Sequence, residues 1–190
     1  QTTMKRAISA ILMALTLISC SQNRPTRIYH VGVSQCSDDA WRTKMNEEME
    51  NELIFHPELQ LSIRQASDNS QVQCSQIDSF IAEGVDLLIV SPNEAEEVKP
   101  AVSRAFDAGI PVIVADRQVT GEKYTAFIGG DNYAVGINMA NWLAEQANNS
   151  HATSDKPLQV IEVMGLQGST PCVWRHKGLL DGLKNVKNVR

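Results

Sequence analysis

Short apolar runs, too brief for helices and too continuous for half-buried strands, constrain the fold of this chain more than any other feature. Residues 85–90 (VDLLIV) and 110–115 (IPVIVA) are apolar at nearly every position. That is the pattern of strands covered on both faces of a parallel sheet. Segments of other periodicity alternate with them. Residues 28–34 (IYHVGVS) read as a first strand. Asp38 or Asp39 caps a following helix, in which Trp41, Met45, Met49 and Leu53 fall four apart as an apolar stripe. Leu59, Leu61 and Ile63 alternate with polar residues, the signature of a half-buried strand. A helix over 71–83 closes at Gly84, and another over 94–108 closes at Gly109. Further on, 124–128 reads as a strand, 131–146 as a helix, 148–157 as a polar loop, 158–164 as a strand, and a helix begins near Cys172.

Strands alternating with helices at this spacing imply an α/β fold, a parallel sheet wrapped by helices. Right-handed crossovers bring the C-terminal ends of the strands to one edge, and ligands of such sheets sit beyond that edge. Function is therefore expected in loops 35–40, 66–70, 91–93, 116–118 and 129–132, all rich in short polar side chains.

Several function classes are disfavoured. A net charge of -5 with no basic run does not suit a nucleic-acid surface. Cys20, Cys36, Cys74 and Cys172 lack C-x-x-C spacing, and the four histidines show no metal spacing. No metal or cofactor is expected. No nucleophile elbow, zinc-protease helix or phosphate loop occurs, and Gly129-Gly130 lacks the rest of a dinucleotide fingerprint. A binder is expected, with no catalytic residues.

The N-terminal stretch reads separately. Lys5 and Arg6 precede an apolar run over 7–19, too short for a spanning helix and suited to a signal-peptide core. Leu17-Ile18-Ser19-Cys20 resembles the lipobox of bacterial lipoproteins, which implies acylation of Cys20. An ordinary signal peptide with an incidental cysteine stays open. Residues 1–20 are thus expected to be a leader and 21–26 a tether, with an exported, periplasmic, membrane-anchored mature chain.

Asp116-Arg117 ends the most hydrophobic strand. A carboxylate beside a guanidinium grips neighbouring hydroxyls, and a local ion pair is the alternative. Trp41 either stacks on the apolar face of a sugar ring or packs in the core. Asp38 and Asp39 serve as caps or as hydroxyl acceptors.

From Arg27 to about Leu183 the chain resembles the ribose-binding group of type 1 periplasmic binding proteins. The likeness is carried by Val33-Ser34, the run 85–92, Gly109-Ile110-Pro111-Val112-Ile113, Asp116-Arg117 and Ile128-Gly129-Gly130-Asp131-Asn132. More narrowly, residues 32–42 (GVSQCSDDAWR), 91–95 (SPNEA) and 168–171 (GSTP) resemble the periplasmic sensors of Bacteroides-type hybrid two-component systems. The resemblance implies a two-lobed fold, a parallel sheet flanked by helices in each lobe, with a hinge that closes on a monosaccharide. Lobe 1 would run over 27–130, and 131–190 would begin a second lobe that is truncated here. In that reading the chain alone exposes apolar surface and binds no monosaccharide appreciably. Asp116 and Arg117 match the family's hydroxyl-binding pair, Trp41 its stacking aromatic and Asp38 a polar sugar contact. The family's second-lobe arginine aligns with Val173, and Arg175, two positions later, is taken for that role. Two functions follow as expectations. One is the sugar sensor of a membrane kinase, anchored through a downstream transmembrane segment. The alternative is a lipid-anchored substrate-binding protein of a sugar ABC transporter. A repressor core of the same fold is disfavoured by the export signal and by the lack of a helix-turn-helix ahead of the first strand.

Overall fold

The computed structural model describes residues 27–190. The leader, the tether and Cys20 lie outside them. The apolar runs become five strands alternating with helices: β1 (Tyr29–Gln35), α1 (Ala40–Glu52), β2 (Leu59–Gln65), α2 (Ser70–Glu83), β3 (Leu87–Ser91), α3 (Ala95–Asp107), β4 (Val112–Ala115) and β5 (Ala126–Ile128). All neighbouring strands pair in parallel, in the order β2-β1-β3-β4-β5. Gln35 stands level with Gln65 on one side and Ser91 on the other, and Ala115 with Ile128. All five strands therefore end at one edge, followed by the five polar loops. The order reverses direction between β1 and β3, which opens a crevice where the flanking loops diverge.

Burial follows the expected pattern. β3 and β4 bury Leu88, Val90, Val112 and Val114 completely, against Ile77 and Phe80 of α2 and Val98 and Ala101 of α3. Phe80 seats its ring over β1 so closely that a Cβ at Gly32 would lie 2.8 Å from it. β2, an edge strand, keeps Leu59, Leu61 and Ile63 half-buried on one face. Gly84 ends α2 at φ 67°, the left-handed conformation that glycine adopts without penalty.

Past β5 the chain forms α4 (Asn132–Asn149) and α5 (Thr170–Leu183). They cross at two glycines. A Cβ on Gly136 would collide with the carbonyl of Arg175, and one on Gly178 with the carbonyl of Tyr133. The two backbones touch there.

Two expectations are corrected. Residues 158–164 do not form a strand: only Leu158 bridges Val189. Val160 N–H donates to the Arg190 carbonyl at 2.8 Å, and among the described residues this is the last backbone bond from the segment to a neighbour. A strand's backbone groups need a partner along its whole length. Here pairing covers one end, and Ile161 and Val163 stand 89% and 91% exposed. The stripe of α1 is also turned. Met45 and Met49 are half-buried, but Trp41 is 67% exposed, and the buried positions are Arg42 and Asn46. The methionine spacing that signals one face is shared by the polar pair beside it, so periodicity alone misassigned the inward direction.

Candidate functional site

A cleft of about 1070 Å³ opens beyond the C-terminal edge of the sheet. Asp39, Trp41, Arg42, Asp116 and Arg117 form its polar wall, while α4, residues 160–166 and the start of α5 face them. Two hydrogen bonds among the described residues join the facing side to the sheet domain. Ala95 N–H donates to the Gly168 carbonyl at 3.2 Å, and Gln118 N–H to Thr170 Oγ1 at 2.7 Å.

The turn after β4 presents Asp116 and Arg117. Asp116 has φ 62°, unusual for a residue with a side chain though least costly for Asp or Asn. Its N–H donates to the Ile128 carbonyl at 2.7 Å, and Arg117 N–H reaches back to the Ala115 carbonyl at 2.8 Å. That i→i+2 bond around a positive-φ residue is the tight, strained type of turn, of the kind concentrated at ligand-binding positions. It turns the Asp116 carboxylate toward α1, where Arg42 Nη2 meets it at 2.6 Å. The Arg42 side chain is 2% exposed and that of Asp116 35%. Arg42 Nε and Nη1 have no protein partner, nor do the nearby Gln35 Oε1, Ser91 Oγ and Asn93 Oδ1. These five buried atoms all belong to the ends of β1 and β3, the loop after β3, and the first turn of α1. Of these four residues Arg42 alone lines the cleft.

Asp39 caps α1. One carboxylate oxygen accepts from Ser37 Oγ at 2.6 Å and the other from Arg42 N–H at 2.9 Å. The Ser37 hydroxyl first, and then the Arg42 amide, hold this carboxyl below the ordinary carboxylate range. A lowered folded-state value contributes stability that is fully present above the ordinary range and lost as pH falls through the folded value. Asp39→Asn keeps the cap, because asparagine caps as well as aspartate. It should therefore leave neutral-pH stability nearly unchanged and flatten the acid limb of a stability-versus-pH curve. Asp39→Ala should cost about 1 kcal/mol at neutral pH in urea unfolding.

Of the sequence-derived candidates, Trp41, Asp116, Arg117 and Arg175 all line the cleft. Arg175 stands on its far side, its Nε donating to Asn132 Oδ1 at 2.8 Å. Asp38 is exposed beside the cleft, and its neighbour Asp39 takes the place on the wall. Arg42 escaped the sequence reasoning. The available signal was an arginine four residues before Asn46 in the first turn of a helix that leaves a strand end. Among the described residues no cluster of His, Cys, Asp and Glu could hold a metal ion, and no helix is long and apolar enough to cross a membrane.

The profile of the periplasmic binding protein domain family matches residues 31–190. The galactofuranose-binding protein of Escherichia coli K12 is 29% identical over 164 residues, covering 84% of this chain and 49% of that protein. A solved fructose-binding periplasmic domain of a hybrid two-component system superposes with a TM-score of 0.79 at 40% identity, over 85% of this chain and 52% of that one. The arabinose-binding component of a Shewanella sp. ANA-3 ABC transporter, solved with arabinofuranose, gives a TM-score of 0.73 at 26% identity, over 84% of this chain and 52% of that one. The chain thus spans about half the length of these relatives.

Proposed function

We propose, since this chain belongs to the periplasmic binding protein family, that its cleft binds a monosaccharide in the furanose form and that it is the sugar-sensing region of a hybrid two-component protein. The observation that carries the reading is the Arg42–Asp116–Arg117 constellation, with Trp41 beside it on the cleft wall. Asp116, two-thirds enclosed and already oriented by Arg42, offers its free lone pairs to a hydroxyl. Arg117 donates in a fixed planar fork to the next one. The exposed indole of Trp41 suits the apolar C–H face of a sugar ring. None of these groups is a nucleophile paired with a base, so the chemistry is recognition.

The sensor reading is supported by the 40% identity to the fructose-binding domain, against 29% to the galactofuranose-binding protein. The second reading, a lipid-anchored transport protein, is supported by Leu17-Ile18-Ser19-Cys20. If that anchor exists, labelled palmitate incorporates into the protein and Cys20→Ala abolishes incorporation; equal labelling of the variant would refute it. The ligand is tested by calorimetry on the protein as its host makes it, with D-fructose, D-ribose and D-galactofuranose as probes. Micromolar or tighter binding of one of them is expected, and binding no tighter than millimolar for all three would overturn the sugar reading.

A further inference from the structure

Gln73 lies in α2 with no exposure, and it forms no part of the cleft wall. Its amide makes three bonds. Nε2 donates to the carbonyls of Ser34 (3.2 Å) and Ser91 (2.9 Å), at the ends of β1 and β3. Oε1 accepts from Asn93 N–H at 2.8 Å. Asn93, itself 2% exposed, extends the connection. Its Nδ2 donates to the Asp68 carbonyl (3.1 Å) and to Ser70 Oγ (3.0 Å), and its carbonyl accepts from Arg117 Nη1 at 3.1 Å. Ser67 and Asp68 both have positive φ, 48° and 58°, so this contact reaches a loop in a costly conformation, which the Asp68 N–H bond to the Cys36 carbonyl also holds. Two buried amides therefore tie together the loops after β2, β3 and β4. Two of the three Gln73 bonds are explained by the need of strand-end carbonyls for donors. The third is different: it fixes Asn93, a loop residue whose carbonyl in turn holds a guanidinium on the cleft wall.

We infer that Gln73 is a positioning residue for Arg117, acting through Asn93. Its effect on sugar affinity rests on the function proposed above, whereas its effect on Arg117 does not, and the experiment separates the two. In the full chain, the rate of arginine modification by phenylglyoxal is mapped residue by residue with mass spectrometry. Gln73→Met, which removes all three bonds at similar volume, should raise the rate at Arg117 about fivefold, the equivalent of one lost net hydrogen bond. Arg175 should be unaffected. An unchanged rate at Arg117 in Gln73→Met, or equal rises at Arg117 and Arg175, would overturn the inference, the latter by showing general loosening. Should Gln73→Met not fold, the reciprocal measurement decides. Arg117→Met should speed hydrogen exchange at the Asn93 amide by about fivefold, and unchanged exchange there would refute the coupling. A selective rise at Arg117 in a protein that binds none of the three sugars would sink the proposed function and leave this inference standing.

Discussion

Asp116→Asn should destabilise the protein by about 2–4 kcal/mol at neutral pH, a fall in Tm of roughly 5–15 °C for a chain of this size. The substitution preserves shape, and asparagine tolerates the positive φ of this position as aspartate does, so backbone strain does not confuse the result. What it removes is the charge opposite Arg42, whose guanidinium is 2% exposed and has two further nitrogens without partners. An unpaired buried cation costs more than the pair contributes, because its desolvation is left uncompensated. The partial exposure of Asp116 sets the figure toward the lower part of the range for buried pairs. Adding Arg42→Met to Asp116→Asn should restore most of the lost stability, since the stranded charge is gone. If Asp116→Asn costs no more than a typical surface substitution, about 0.5 kcal/mol or less, the ion pair is not the constraint described here. In the protein as its host makes it, Asp116→Asn and Arg117→Ala should each weaken sugar binding, by roughly thirty- to a thousandfold for the loss of a charge-assisted contact.

Gly178→Ala should also destabilise, against the direction that helix propensity dictates. In an isolated helix alanine is better than glycine by about 1 kcal/mol. At the crossing of α4 and α5, however, a Cβ on Gly178 would collide with the Tyr133 carbonyl and lie 3.0 Å from Ile137 N. Both obstacles are backbone, so they yield only if the helices separate. Gly136 repeats the arrangement from the other helix, with a Cβ there 2.7 Å from Leu179 N. Overpacking of this kind costs about 1–3 kcal/mol for a single methyl, and more for the branched side chain of Gly178→Val. The sign alone discriminates. A loss of at least 1 kcal/mol in urea unfolding supports the contact, and a gain in Gly178→Ala would show that α4 and α5 do not pack at these glycines.

The sheet was legible because its information is local and apolar. The runs at 85–90 and 110–115 supply most of β3 and β4, and Gly84 and Gly109 stop their helices at φ 67° and 83°. Positions beyond strand ends were legible for the same reason: once the strands are known, topology puts Asp116 and Arg117 on the cleft without any reference to their chemistry. What could not be read was orientation around α1. Periodicity assumes that the inward face is the apolar one, and this helix turns Arg42 and Asn46 inward beside its methionines. Polar burial of that kind is decided by partners distant in sequence, Asp116 and Gln35. Nor does a single sequence reveal that Asp39 rather than Asp38 takes the cap and the cleft wall, because either residue satisfies the capping pattern. Residues 158–164 failed for the complementary reason. Their composition is that of a strand, but pairing is a property of neighbours, and among the described residues 188–190 pair with one end of the segment alone.

We propose that this protein holds its ligand at the C-terminal edge of the sheet, at Asp116 and Arg117. A crystal structure of the protein as its host makes it, grown with whichever of the three sugars binds it, tests this most directly. The expected result is a sugar ring in the cleft, with hydroxyl oxygens within about 2.6–3.2 Å of the Asp116 carboxylate and the Arg117 guanidinium, and with one face on Trp41. A sugar bound elsewhere, with Asp116 and Arg117 touching only protein, would contradict it.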